Sequence, residues 1–251
     1  MQYSLKKSLG QHFLKDENVS RQIVEALKQH DFSSLVEVGP GAGALTKYLL
    51  QLPGIDFKAV ELDEEKVRYL EHTYPGIKEK IIHKDFLSID PPFEGQFNLI
   101  GNFPYNISTQ IVFKVLEWKE QVPVMIGMFQ KEVAQRIASQ PGSKVYGILS
   151  VLTQAFYEVS YLFDVSEESF NPPPKVKSGV IMFKRKKEEI AMRSQKDFFR
   201  LVKTAFNQRR KMLRNGLRGL FDEEMLKKEI FSKRAEQLTI QEFCALTFEM
   251  K

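Results

Sequence analysis

The chain has 251 residues, 43% apolar content, one cysteine and a formal net charge of +5. That length supports a main domain with an appendage. A lone Cys244 excludes an internal disulfide or a multi-thiolate metal site, and its apolar neighbours mark it as a buried small hydrophobe. No stretch reaches the roughly 18 apolar residues of a membrane span, and no apolar run follows the basic N-terminus as a secretory signal requires. The histidines at 12, 30, 72 and 83 lack metal-ligand spacing. A cytoplasmic, metal-free protein without membrane contact is expected, working as a monomer.

Val19 to His30 reads as an amphipathic helix. Apolar strands follow at about 34–39, 56–62, 79–84, 97–101 and 122–129, separated by helical patterns at about 43–52, 63–73, 108–118 and 131–139. Strands alternating with helices imply a parallel sheet with crossovers. The first strand runs into Gly39-Pro40-Gly41-Ala42-Gly43, whose glycines let the backbone approach a ligand. The spacing is G-x-G-x-G, not the G-x-G-x-x-G that seats a pyrophosphate. Glu37 precedes it, where it would repel a phosphate and attract a cation or an amine. The next strand ends in Glu61, a carboxylate suited to both hydroxyls of a ribose. Together these residues describe a positively charged nucleoside ligand without phosphate, and S-adenosylmethionine fits that description.

The third strand ends in Asp85-Phe86. Asp85 can accept from an adenine amino group while Phe86 lies against the base, or it can simply cap a short turn. The fourth strand leads into Gly101-Asn102-Phe103-Pro104-Tyr105-Asn106-Ile107-Ser108-Thr109. A side-chain amide, a proline-fixed turn and an aromatic ring therefore meet at the carboxyl end of a strand, where open α/β sheets bind ligands. Such a group suits an exocyclic amine on a flat heterocycle. Asn102 and the Phe103 carbonyl can accept its two N–H bonds, and Tyr105 can stack on the ring. An ordinary strand-to-helix turn with Ser108 as its cap is the plainer reading.

Strands at 159–165 and 179–185 flank Phe170-Asn171-Pro172-Pro173-Pro174-Lys175-Val176, a rigid loop expected at the mouth of the site. Phe170 and Tyr105 are the expected two sides of a base sandwich. Beyond the charged connector 184–194 the pattern is all helix. Residues 184–251 carry 18 Lys+Arg against 10 Asp+Glu, whereas residues 1–183 carry 19 against 22. That asymmetry points to a nucleic-acid partner. On a continuous helix Lys211, Arg214 and Arg218 share one face beside Arg209 and Arg210, while Val202, Phe206, Leu213, Leu217 and Leu220 share another. Phosphate contact by that face is expected; a merely solvated face is the alternative.

Four motifs occur in the order seen in ribosomal RNA adenine dimethyltransferases, and the chain resembles that family over its whole length, most closely the members acting on small-subunit RNA. They are Lys7-Ser8-Leu9-Gly10-Gln11-His12-Phe13-Leu14, Glu37–Gly43, Asn102–Thr109 and Phe170–Val176. The element Gln208-Arg209-Arg210-Lys211-Met212-Leu213-Arg214-Asn215 adds to the match. The resemblance implies a Rossmann-like S-adenosylmethionine-dependent methyltransferase sheet over residues 1–188 and a basic helical RNA- or ribosome-binding domain over 189–251.

The implied activity is N6,N6-dimethylation of two adjacent adenines in a 3′-terminal hairpin loop of small-subunit (16S) rRNA, with that RNA and the assembling small subunit as partners. Asn102, Phe103, Pro104 and Tyr105 are the expected catalytic turn. His12, Leu14, Glu37, Gly39, Gly41, Glu61, Asp85, Phe86 and Asn102 are expected around the cofactor. Tyr105, Phe170, Lys175, Arg209, Arg210, Lys211 and Arg214 are expected on RNA. Two positions depart from the family pattern: His12 replaces the usual Asn, which makes its hydrogen bond tautomer-dependent, and Phe103 replaces a usual Leu, with room to tighten the pocket. Two related readings remain, a large-subunit enzyme of the antibiotic-resistance type and a chiefly non-catalytic assembly factor. A nicotinamide dehydrogenase lacks its catalytic His or Tyr-Lys arrangement here.

Overall fold

A computed structural model describes residues 12–251. The basic N-terminus and the Lys7–Gln11 part of the first motif lie outside the described residues. Contacts divide the chain into two compact units, one running to Ala134 and taking in Ser160–Arg185, the other formed by Gln135–Val159 with Lys186–Lys251.

The first unit begins with β1 (Phe13–Leu14) and α1 (Glu17–Lys28). Asp16 caps α1 by accepting from the Asn18 and Val19 N–H groups. Ser20, Ile23, Val24 and Leu27, spaced one helical turn apart, form its buried face. The chain continues through β2 (Ser34–Val38), α2 (Thr46–Leu49), β3 (Asp56–Glu61), α3 (Glu64–Thr73), β4 (Ile81–His83), β5 (Asn98–Asn102), α4 (Ser108–Glu117) and β6 (Val124–Gln130). These strands pair in parallel in the order β4-β3-β2-β5-β6. After α5 (Lys131–Ala138), α6 (Ile148–Phe156), β7 (Tyr157–Val165) and β8 (Phe170–Asn171), strand β9 (Ser178–Arg185) returns antiparallel to β6, and β7 completes a seven-stranded sheet. Buried aliphatic runs such as Leu35-Val36 and Leu99-Ile100 suit central strands covered on both faces. This is the α/β, Rossmann-like arrangement expected from the strand–helix alternation.

Two local differences have physical causes. The helix expected over 43–52 is reduced to α2, because Gly39, Gly41 and Gly43 all take positive φ (66°, 60° and 84°) and hold residues before Thr46 in a loop. At Gly43 a Cβ would also fall 2.3 Å from the Tyr74 ring, so only glycine lets that ring close over the loop. The small sheet of β1 and β8 is the second difference, since it ties the start of the described chain to the segment before the prolines, with Leu14 opposite Phe170.

The helical unit holds α7 (Gln195–Asn207), α8 (Leu213–Gly216), α9 (Glu223–Leu226) and α10 (Ile240–Thr247). It also takes in residues 135–159, which the composition change near residue 188 assigned to the sheet. Helix α6 is buried from Leu149 to Phe156, and the Phe156 ring meets Phe198 of α7 edge-on at 6.3 Å. A helix buried on every side, here with Ser150, Thr153 and Gln154 included, carries no signal of which partner it packs on. Cys244 is buried there, and burial pushes its thiol up to about 11.

The continuous basic helix is corrected as well. Helix α7 ends at Asn207, and Gln208–Met212 form a turn before the four-residue α8. Three consecutive like charges, Arg209-Arg210-Lys211, fall in that turn, where they are not stacked on helical neighbours of the same sign.

Candidate active site

The sheet order reverses between β2 and β5, because β3 lies on one side of β2 and β5 on the other. Ligands of doubly wound sheets bind outside the carboxyl ends of the strands at such a point. A cleft opens there, and ten of the expected residues line it: His12, Leu14, Glu37, Gly39, Gly41, Glu61 and the Asn102–Tyr105 turn. Phe13, Thr46 and Lys66 enter the arrangement without having been singled out from the sequence.

Asn102 ends β5, opposite Met128 of β6. Its Nδ2 donates to the His12 carbonyl oxygen at 3.3 Å. A carbonyl can only accept, so this bond fixes which end of the amide is nitrogen and leaves Oδ1 as its remaining acceptor. Pro104 and Tyr105 carry the chain into α4, and Ser108 donates back to the Tyr105 carbonyl at 3.1 Å rather than capping the helix at its N-terminus. The Tyr105 hydroxyl lies 2.6 Å from the Ser178 hydroxyl, and burial raises the phenol above its ordinary pKa. The Phe103 side chain turns into the core, 1% exposed, and meets Phe129 edge-on at 5.2 Å. Its ring fills the space that side chains on Gly101 and Gly127 would occupy. The Phe103 ring therefore forms the floor beneath the turn.

On the other flank, Glu37 is 2% exposed and accepts from the Thr46 hydroxyl at 2.7 Å. Burial pushes its carboxyl up to about 8, with neighbouring Glu61 adding to the rise and Thr46 opposing it. Desolvation outweighs the Thr46 hydrogen bond and favours the uncharged acid, against the charge the sequence alone implies. Glu61 accepts from the Leu62 and Asp63 N–H groups at 2.9 and 3.0 Å and from Gly41 N–H at 3.3 Å. Lys66, on the first turns of α3, approaches Glu61 at 4.0 Å and the Phe13 ring centroid at 5.5 Å. Its position five residues after the strand-ending acid was the one available signal.

Asp85 and Phe86 line an adjoining cleft that shares Gly39, Glu61, Lys66 and Pro104 with the first. Asp85 does cap a 3-10 turn, Oδ1 accepting from Leu87 N–H at 2.9 Å, which leaves its second oxygen for a ligand. The Phe86 ring is buried, lies in the wall of that cleft and meets Trp118 in a T-shaped contact at 5.3 Å.

Phe170 is corrected. It is 1% exposed in the core cluster with Leu14, Val165 and Val180, so its ring is not one side of a base sandwich. Its place in β8 aims it inward, while exposed Pro172 and Pro173, buried Pro174 and exposed Lys175 follow. His12 Nδ1 lies 2.9 Å from the Pro172 carbonyl oxygen, which sets this loop beside the cleft as expected.

Within the helical unit, Arg209, Arg210 and Lys211 line a separate cleft with Lys144 and Glu236. Arg209 donates to the Lys144 carbonyl and approaches Glu236 at 3.9 Å, whereas Arg210, Lys211 and Arg214 are exposed.

A family model described as "Ribosomal RNA adenine dimethylase" matches residues 2–250. "Ribosomal RNA small subunit methyltransferase A" of Flavobacterium johnsoniae is 54% identical, covering 96% of this chain and 94% of the relative. The protein of the same name from Cytophaga hutchinsonii is 50% identical, covering 96% and 95%. Among solved structures, a dimethyladenosine transferase from Plasmodium falciparum matches with TM-score 0.79 at 22% identity, covering 95% of this chain and 97% of that one. The 23S rRNA methyltransferase ErmE matches with TM-score 0.70 at 23% identity, covering 93% and 99%, and both likenesses bear on the fold. The chain belongs to the ribosomal RNA adenine dimethylase family.

Proposed function

We propose that this protein transfers methyl groups from S-adenosylmethionine to N6 of two adjacent adenines in a 3′-terminal hairpin loop of small-subunit rRNA. The products are N6,N6-dimethyladenosines, formed in the cytoplasm during small-subunit assembly by the protein acting as a monomer. One observation carries the chemistry: the Asn102 amide is held by the His12 carbonyl with Oδ1 as its remaining acceptor, beside Tyr105 at the switch-point cleft. Relatives named for small-subunit rRNA, matching nearly the whole chain, favour that RNA over large-subunit RNA.

The residues present fit S-adenosylmethionine. The cleft walls carry acids and no phosphate-binding turn, Glu61 stands at the end of β3, and the Gly41 N–H donates to it, which holds the glycine loop against the strand end. Bound there, the cofactor supplies a methyl group on a sulfonium leaving group. Asn102 Oδ1 and the Phe103 carbonyl oxygen accept the two N6–H bonds of the target adenine, so the amine is held with its lone pair toward the donor. The same two oxygens stabilise the positive charge that develops on N6. Tyr105 supports one face of the base, which an RNA loop releases from its stack at low cost. Positioning of this kind is worth effective molarities of about 10⁵ M or more, and the alkylated nitrogen is acidic enough to lose its proton to water. Lys175 and the exposed basic residues of the helical unit meet RNA phosphates.

Primer extension across rRNA methylated in vitro tests the reading. Two adjacent stops near the 3′ end of small-subunit RNA are expected with wild type and none with Asn102→Ala. Stops in large-subunit RNA would replace the small-subunit assignment, and maturation of subunits rescued by Asn102→Ala would favour an assembly role.

A further inference from the structure

We infer that His12 is a positioning residue coupling the cofactor cleft to the loop that receives the target adenine, so that occupancy of each tightens the other. The inference rests on the proposed function for the identity of the two ligands. Its physical basis is a three-way junction at one residue. The His12 backbone carbonyl accepts from Asn102 Nδ2 at 3.3 Å, holding the amide of the catalytic turn. The ring Nδ1 lies 2.9 Å from the Pro172 carbonyl oxygen, 160 residues along the chain. The ring centroid stands 5.7 Å from that of Tyr105, with the planes tilted by 31°.

The Pro172 contact settles the tautomer. A carbonyl oxygen has no proton to give, so Nδ1 carries the hydrogen, and the neutral ring presents Nε2 as an acceptor. The ring is therefore oriented by the proline loop, while its own backbone orients Asn102. The adjoining pairs reinforce the junction: Phe13 lies opposite Asn171, Leu14 opposite Phe170, and Lys15 N–H donates to the Ser169 carbonyl at 2.9 Å. The arm on the cofactor side and the loop on the base side are thus hydrogen-bonded to each other along their length. A ligand that orders the arm also orders the loop, and the second ligand then meets a site already in place.

The test measures that coupling directly. Calorimetry gives the affinity of S-adenosylhomocysteine with and without unmethylated small ribosomal subunits, and subunit affinity is measured with and without S-adenosylhomocysteine. In wild type each should tighten the other by the same factor, about 5-fold or more, since coupling is reciprocal. In His12→Ala the factor should fall to about one with the melting temperature retained. His12→Asn, which keeps a side-chain N–H donor, should recover part of it. Wild-type methylation of subunits without mutual tightening overturns the inference and leaves the proposed function standing. An undiminished factor in His12→Ala, or parallel loss of both affinities at constant ratio, also overturns it. Failure of wild type to methylate the subunits overturns the proposed function instead.

Discussion

The Tyr105 hydroxyl and the Ser178 hydroxyl meet at 2.6 Å across 73 residues of sequence, and Ser178 is fully buried at the start of β9. Ser178 pairs in register with Gln130 of β6, so the antiparallel strand delivers a polar anchor to the catalytic turn. Ser178→Ala should leave the phenol without this partner, at a stability cost of about 1–3 kcal/mol. Methyl transfer at saturating cofactor should fall severalfold, while S-adenosylmethionine affinity measured by calorimetry stays near wild type. Unchanged turnover would mean that Tyr105 is held by its ring packing alone.

Gly127 and Phe103 are a matched pair. A Cβ on Gly127 would fall 2.2 Å from the Phe103 ring and 2.8 Å from Phe129. Gly127→Ala should overpack the floor, costing about 1–3 kcal/mol in thermal or denaturant unfolding, and should lower kcat by displacing the turn. Combining it with Phe103→Leu should restore part of both. Additive losses in the double variant would show that the two sites do not compete for the same space.

Glu37 gives a pH dependence of defined sign. Its carboxyl is raised from 4.5 to about 8 in the fold, so the unfolded chain binds fewer protons between those values. Stability from this group is complete below about 4.5 and is lost as pH rises toward about 8. Glu37→Gln keeps an acceptor for Thr46 and removes the titration. Melting temperatures of wild type should decline relative to Glu37→Gln from pH 5 to pH 8; parallel curves would mean the carboxyl titrates normally.

Glu61→Ala should weaken S-adenosylmethionine binding by about 1.5–3 kcal/mol, the worth of a charged acceptor for ribose hydroxyls. It should also lower the melting temperature, because the Leu62 and Asp63 N–H groups lose their acceptor. Calorimetry showing wild-type affinity would remove Glu61 from the cofactor site.

The basic turn divides by role. Arg209 braces the Lys144 carbonyl, so Arg210, Lys211 and Arg214 are the informative set for RNA. Replacing those three with Ala should leave cofactor affinity intact and reduce the logarithmic salt slope of RNA binding by about 2, at about 0.7–0.9 per phosphate contact. An unchanged slope with an unchanged melting curve would place the RNA elsewhere.

Local patterns made the cofactor side of the site readable. A glycine turn after an apolar strand, and acids at the ends of the next strands, are adjacent in sequence and in space. Long-range partners were not readable. Nothing near Ser178 indicates Tyr105, and Phe170 looks the same in sequence whether its ring faces a ligand or the core. The charge spacing from Lys211 to Arg218 suits a helix face, but it does not report that α7 stops at Asn207. The helical unit's claim on residues 135–159 was hidden because α6 is buried on every side, its Ser150, Thr153 and Gln154 included, so its pattern points to no single partner.

The link between His12 and Pro172 has a consequence for the order in which the protein is made. Sheet strands β2 to β6 all precede residue 131, so the floor of the cleft can assemble early in translation. Its mouth cannot close until Pro172 has left the ribosome, 160 residues after His12. A nascent chain shorter than that carries the glycine loop and the Asn102 turn without the contacts that join them to the proline loop, so synthesis itself delays the working enzyme until most of the chain is complete.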